Sequence, residues 1–161
     1  MPVTPASDIA WTDPARQQLF AHWLHDQTPA FQLLPHSLRM ASADASFRRY
    51  FRVDTADAAA SRIIMDAPPD KEDNAAFVRI AALLREAGLR VPEVLNWQQE
   101  HGFLLLSDLG THTMMQSMDP QGPPPLALYL DAVDALIAWQ MASRPGVLPD
   151  YNEALLRREL Q

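Results

Sequence analysis

The 161-residue chain contains no cysteine, which excludes disulfides and any metal site built on thiolates. No run approaches the ~18 apolar residues that a membrane-spanning helix needs. The opening Met-Pro-Val-Thr-Pro-Ala-Ser-Asp lacks the basic stretch and apolar run of a secretory signal. These absences predict a soluble, cytoplasmic protein without a membrane partner. Basic residues are few: 13 Lys and Arg against 20 Asp and Glu give a formal net charge of -7. No Lys/Arg block is present that could follow a phosphate backbone, so nucleic acid is excluded as the expected partner. The chain does have apolar residues in quantity, 48% of the total, enough for one sizeable core.

Punctuation and periodicity divide the chain. Asp13-Pro14 followed by Leu19, Phe20, Trp23 and Leu24 predicts a capped helix from about Pro14 to Asp26. Around Pro35 any strand should be short or at a sheet edge. Phe47–Val53 and Ser61–Asp66 are β-prone runs flanking a small, polar 54–60 segment, and read as a hairpin. Asp70 is the expected cap of a helix running to Gly88, with Phe77, Ile80, Ala81, Leu83 and Leu84 on its buried face. Val91–Leu95 and Phe103–Ser107 flank a turn and read as a second antiparallel pair, the unbroken Phe103–Leu106 run suggesting an interior strand. A polar stretch ending in Gln121-Gly-Pro-Pro-Pro125 is the expected linker. Beyond it, Leu126, Tyr129, Leu130, Val133, Leu136, Ile137 and Met141 recur at helical spacing, and Asn152–Gln161 begins another helix without a stop signal, as a truncated chain would.

This order predicts an α+β fold: a protein-kinase-like small lobe, antiparallel sheet plus helix, followed by the first helices of a helical lobe. The expected division is residues 1–110, a hinge or linker over 111–125, and a helical part over 126–161.

Two segments could carry chemistry. Ala41–Tyr50 is a run of small residues between strands. Its backbone N–H groups could cradle phosphate oxygens, with Ser42 and Ser46 as hydroxyl donors and Arg48 or Arg49 offsetting charge. The loop contains no glycine, and on residue types alone an ordinary β-turn is the commoner reading. Phe103–Gly110 delivers a polar turn at the end of an apolar strand. A carbonyl at Ser107 and an N–H at Leu109 would suit the hydrogen-bonding edge of adenine; alone, it equally describes a buried strand meeting a turn.

Taken together, several segments resemble one family: Ser-Ala-Asp-Ala-Ser-Phe-Arg-Arg-Tyr-Phe-Arg (42–52), Met-Asp-Ala-Pro-Pro-Asp-Lys-Glu-Asp (65–73), residues 77–95, Phe-Leu-Leu-Leu-Ser-Asp-Leu-Gly (103–110) and Ala-Leu-Leu-Arg-Arg-Glu-Leu (154–160). They are similar to the N-acetylmuramate/N-acetylglucosamine anomeric kinases, within the aminoglycoside-phosphotransferase and choline-kinase group. The resemblance runs from about residue 41 onward. It implies transfer of the γ-phosphoryl of ATP, with Mg2+, to the anomeric hydroxyl of an amino sugar in cell-wall recycling. It also implies Asp44 to Arg49 as the phosphate-covering loop, Ser107 to Leu109 as the adenine-binding hinge, and nucleotide contacts from Ser42, Asp44, Ala45, Ser46, Arg48, Met65, Ser107, Asp108 and Leu109.

The sequence departs from the wider kinase pattern in two places. Met65 stands near the position of the usual phosphate-binding lysine, leaving Arg48, Arg49, Arg62 or Lys71 as substitute cations. No His-x-Asp-x-x-x-x-Asn follows Gly110: His112 is the only later histidine and no Asp lies two residues on. The catalytic aspartate and magnesium ligands are therefore expected beyond Gln161, and no catalytic or metal-ligating residue is assigned. His25, His36, His101 and His112 are scattered singly, and Trp23, Trp97 and Trp139 read as packing residues. The readings left open are a non-catalytic kinase-like binding module, or a kinase of choline, homoserine or an aminoglycoside.

Overall fold

The computed structural model describes residues 9–43, 47–57, 60–119 and 121–160. Two compact units emerge. One runs to Arg85 and resumes over Arg90–Thr111; the other comprises Glu86–Leu89 and the residues from His112 on.

The first unit is built on a five-stranded antiparallel sheet, order β1-β2-β3-β5-β4, formed by β1 (Arg39–Ala43), β2 (Arg49–Asp54), β3 (Ser61–Asp66), β4 (Val94–Gln98) and β5 (Phe103–Ser107). The α+β expectation is borne out. So is the edge position of the first strand, which begins only after Pro35, and the interior position of Phe103–Ser107, between β3 and β4. The second pair starts later than expected. Pro92 cannot donate to a ladder, and pairing begins with Val94 opposite Leu106 and continues through Trp97 opposite Leu104.

Alternation along the strands assigns each residue a face. Phe51, Val53, Ile64, Phe103 and Leu105 pack with Phe20, Trp23 and Leu24 of helix α1 (Pro14–Phe31). Phe20 lies edge-on to Phe103 at 5.6 Å between ring centroids and 5.1 Å from Phe51; a buried aromatic of this kind is worth about 3–5 kcal/mol relative to alanine. Met65, Leu104 and Leu106 pack on the opposite face with Phe77 and Val78 of helix α2 (Asn74–Glu86).

Both helices differ from expectation at one end. Helix α1 continues past Asp26 through Pro29 and closes only at Gln32, which lies in the left-handed region at φ 52° and whose N–H donates to the Thr28 carbonyl; Thr28 Oγ1 in turn donates to the Leu24 carbonyl (2.8 Å). Helix α2 is capped by Asp73, not Asp70: Asp73 Oδ1 accepts from the Ala76 N–H at 2.9 Å. Residues 68–72 instead form a turn in which the Lys71 and Glu72 N–H groups both donate to the Pro68 carbonyl.

Gly102, in the turn before β5, has φ +70°, and a Cβ there would stand 1.9 Å from the Ala67 carbonyl oxygen. The approach is that close because the Ala67 N–H donates to the Gly102 carbonyl, while Asn74 Nδ2 donates to that of Ala67.

In the second unit, α3 (Leu126–Ala142) has no buried residue. Leu126, Tyr129, Leu130, Val133, Leu136, Ile137 and Met141 are all exposed. Helix α4 (Glu153–Glu159) is capped by Asn152, whose side chain accepts from the Leu155 N–H. Among the described residues no helix is long and apolar enough to cross a membrane.

Candidate functional site

The turn following β5 is fixed by one carboxylate. Asp108 Oδ1 accepts from Arg52 Nη2 (3.0 Å) and from the Gly110 N–H (2.8 Å), while Oδ2 accepts from Arg52 Nε (2.5 Å) and Ser61 Oγ (2.6 Å). Arg52 Nη2 also donates to the Gly110 carbonyl at 2.9 Å. The Asp108 side chain is 7% exposed and that of Arg52 15%. The Arg52 hydrogen bonds, joined by those from Ser61 and Gly110, overcome desolvation and hold the Asp108 carboxyl at about 2, below its usual 3.8. A bidentate guanidinium–carboxylate pair with two further donors is both charge-assisted and geometrically restrictive. It ties β2, the start of β3 and residues 108–110 into one frame.

That frame sets the neighbouring backbone. Ser107 is held from the other side: its N–H donates to the Glu93 carbonyl (2.9 Å) and its Oγ accepts from the Glu93 N–H (2.8 Å). Leu109, by contrast, is 46% exposed. The strand end named in the sequence is thus a rigid edge with Ser107 and Asp108 engaged inward and Leu109 turned outward. Arg52 is the partner that sequence reasoning missed. Its only signal was a charged residue between the buried Phe51 and Val53, on the same face as Tyr50 by alternation.

At the opposite end of β2, Ala43 and Arg49 are cross-strand partners. Asp44, Ala45 and Ser46 lie outside the described residues. Ser42 is exposed in β1 opposite Tyr50. Arg48 pairs with Glu72, Nε to Oε2 2.9 Å, and its guanidinium lies 5.8 Å from the Phe77 ring centroid. Met65 is fully buried with Leu104, Leu106 and Ala67, next to Phe77 and Val78, a position of core packing.

The remaining substitute cations are dispersed. Arg49 lies on the α1 face, where Asp66, 1% exposed, accepts from Arg49 through Oδ2 and from Arg16 through Oδ1. Arg49 also stacks 4.0 Å over Trp11, and Arg16 lies 4.7 Å over Phe103. Arg62 donates to the Ser61 carbonyl. Lys71 is 51% exposed beside Asp70, with its Nζ 5.6 Å from the Phe47 ring centroid. Of the four, Arg48 alone pairs with a carboxylate from the α2 side. Among the described residues no group of three or more His, Cys, Asp or Glu could hold a metal ion.

Residues 37–161 match the profile of the phosphotransferase enzyme family, APH. The chain is 46% identical over 151 residues to the N-acetylmuramate/N-acetylglucosamine kinase of Pseudomonas aeruginosa, an alignment covering 94% of this chain and 42% of that one. It is 42% identical to the Pseudomonas putida protein of the same name, with the same coverage. A third, from Neisseria meningitidis serogroup B, is 39% identical over 147 residues, covering 90% of this chain and 42% of the relative. The chain therefore spans less than half the length of the curated relatives it matches.

Proposed function

The chain belongs to the phosphotransferase enzyme family, and from that premise we propose that it serves an ATP-dependent kinase of N-acetylmuramate and N-acetylglucosamine, acting in the cytoplasm on the sugar's anomeric hydroxyl. Residues 1–110 form its nucleotide-binding lobe, 111–125 its linker and 126–161 the start of its helical lobe. The observation that carries this reading is the identity of 39–46% over at least 90% of the chain to relatives bearing that name.

In this reading the nucleotide's purine edge meets the Ser107 carbonyl and the Leu109 N–H, on the edge that Arg52 and Asp108 hold rigid. The exposure of Leu109 against the engagement of Ser107 and Asp108 fits that role: the polar side chains set the backbone and the backbone reads the base. Asp44 to Arg49, with Ser42 ahead of them, cover the phosphates with backbone N–H groups and hydroxyls. ATP supplies the phosphoryl group: the bond from the γ-phosphorus to the bridging oxygen breaks, a bond to the sugar oxygen forms, and the hydroxyl proton leaves to a base. Magnesium accompanies the nucleotide, and no residue of this chain is assigned to it.

The test is ADP release by the full-length gene product with Mg·ATP and each amino sugar. Sugar-dependent release with N-acetylmuramate and N-acetylglucosamine is the expected result. Release with choline, homoserine or an aminoglycoside instead would overturn the acceptor, and no release with any of them would overturn the kinase.

A further inference from the structure

We infer that Arg52 is a positioning residue that makes the nucleotide site selective for adenine over guanine, an inference resting on the kinase reading above. Residues 108–110 are closed into a ring by side chains. Asp108 Oδ1 accepts from the Gly110 N–H at 2.8 Å, and Arg52 Nη2 donates both to that oxygen, at 3.0 Å, and to the Gly110 carbonyl, at 2.9 Å. Both polar groups of the Gly110 backbone are engaged, and Leu109 lies between two residues gripped by one guanidinium. Arg52 Nε and Ser61 Oγ donate to the other carboxylate oxygen, so the anchor belongs to β2 and the start of β3. Every residue of the ring lies in the first unit.

An aspartate side chain accepting from the N–H two residues on mimics a backbone β-turn, with the aspartate and its successor in the two central places. In such a turn the central peptide, here Asp108–Leu109, can turn over only if the second central residue takes a positive φ. Among the described residues Gln32 is the one non-glycine with a positive φ, so Leu109 has none. The side chain of leucine disfavours that region. While the ring stays closed, the Leu109 N–H therefore keeps its direction. On the other side Ser107 is fixed by its two hydrogen bonds with Glu93.

In the reading above, the Ser107 carbonyl accepts from the amino group of adenine and the Leu109 N–H donates to the neighbouring ring nitrogen. Guanine reverses both groups: an oxygen replaces the amino group, and the ring nitrogen carries a proton. Oxygen would then face oxygen and N–H face N–H, each left unpaired. Turning the Asp108–Leu109 peptide over would present a carbonyl to that proton, which the closed ring prevents. Arg52 touches no nucleotide in this proposal; it decides which purine the backbone can read.

The experiment measures equilibrium binding of Mg·ATP and Mg·GTP to the full-length gene product by calorimetry, for the wild type, Arg52→Lys and Asp108→Asn. Arg52→Lys keeps the charge but loses the fork that reaches Asp108 and Gly110 together. Asp108→Asn keeps an oxygen for the Gly110 N–H and loosens the ring from its other side, and it carries the test if Arg52→Lys does not fold. The wild type should prefer ATP by roughly a hundred-fold or more, with the preference narrowed about ten-fold in Arg52→Lys and about three-fold in Asp108→Asn. A merely structural residue would lower both affinities together and leave their ratio alone. An unchanged ratio in the folded variants, or a wild type that binds GTP within about three-fold of ATP, would overturn the role of Arg52 while leaving the kinase reading standing. A wild type that binds neither nucleotide would overturn the kinase reading itself.

Discussion

Replacing Asp108 with asparagine preserves its shape and removes the charge around which the turn after β5 is organised. The carboxyl is held at about 2 in the folded chain against 3.8 ordinarily, which corresponds to about 2 kcal/mol of folding free energy. The substitution also leaves Arg52, 15% exposed, facing an amide, so the expected loss near neutral pH is about 2–3 kcal/mol. The sign with pH follows from the depressed value. The stabilisation is fully present above the unfolded carboxyl's titration and is lost as pH falls through the folded one. Wild type should therefore outlast Asp108→Asn at about pH 7 and about pH 4.5, and the gap should close between about pH 4 and pH 2. Urea unfolding followed by tryptophan fluorescence, with Trp11, Trp23 and Trp97 in the same unit, reads this directly. A difference below about 0.5 kcal/mol at neutral pH, the range of an ordinary surface change, would refute the reasoning. So would a gap of undiminished size near pH 2.5.

Gly102→Ala should abolish cooperative folding of the first unit or cost more than about 3 kcal/mol, since its Cβ would lie 1.9 Å from a backbone oxygen at φ +70°; thermal unfolding by circular dichroism checks this, and a shift of only a degree or two would contradict it. The 161-residue chain by itself should self-associate at micromolar concentration through α3, where Leu126, Leu130, Val133, Leu136 and Ile137 are each at least 48% exposed. Light scattering should find larger species that Leu130→Lys with Ile137→Lys reduces, and a monodisperse monomer in the unsubstituted chain would count against it.

Where local signals suffice, the sequence and the fold agree. The β2–β3 hairpin follows from two β-prone runs around a polar segment, and β5 from an unbroken apolar run. Asp13 and Asn152 cap their helices as short polar residues do. What escaped was decided by competition between neighbours. Asp70 is as good a cap as Asp73, but the Pro68 carbonyl captures the next two N–H groups and moves the helix start to Asn74. Pro29 resembles a breaker, yet a proline in a helix's last turn forfeits one hydrogen bond while the following residues still close it. Val91-Pro92 looked like a strand opening because its apolar content outweighed the missing donor.

The candidate site divides along the same line. Asp108 and Leu109 were visible in a contiguous motif, whereas Arg52 lies 56 residues from the carboxylate it binds and no local rule links them. Glu72 likewise accepts from the Phe47 N–H, 25 residues back, and pairs with Arg48. Its partners Phe47 and Arg48 become neighbours only once β2, β3 and α2 have assembled.

The pairing of Asp66 with both Arg16 and Arg49 has a consequence for where the folded unit begins. The residues before β1 contribute Trp11, Phe20 and Trp23 to the aromatic layer and one of the two guanidiniums that neutralise a nearly inaccessible carboxylate. Trimming the chain back to the first strand would strip the sheet of a whole side and strand a half-compensated anion in the newly wetted surface. The leading helix thus supplies Phe20, Trp23 and Leu24 to this unit's interior, and shortened versions should start ahead of Ile9, which packs against that core.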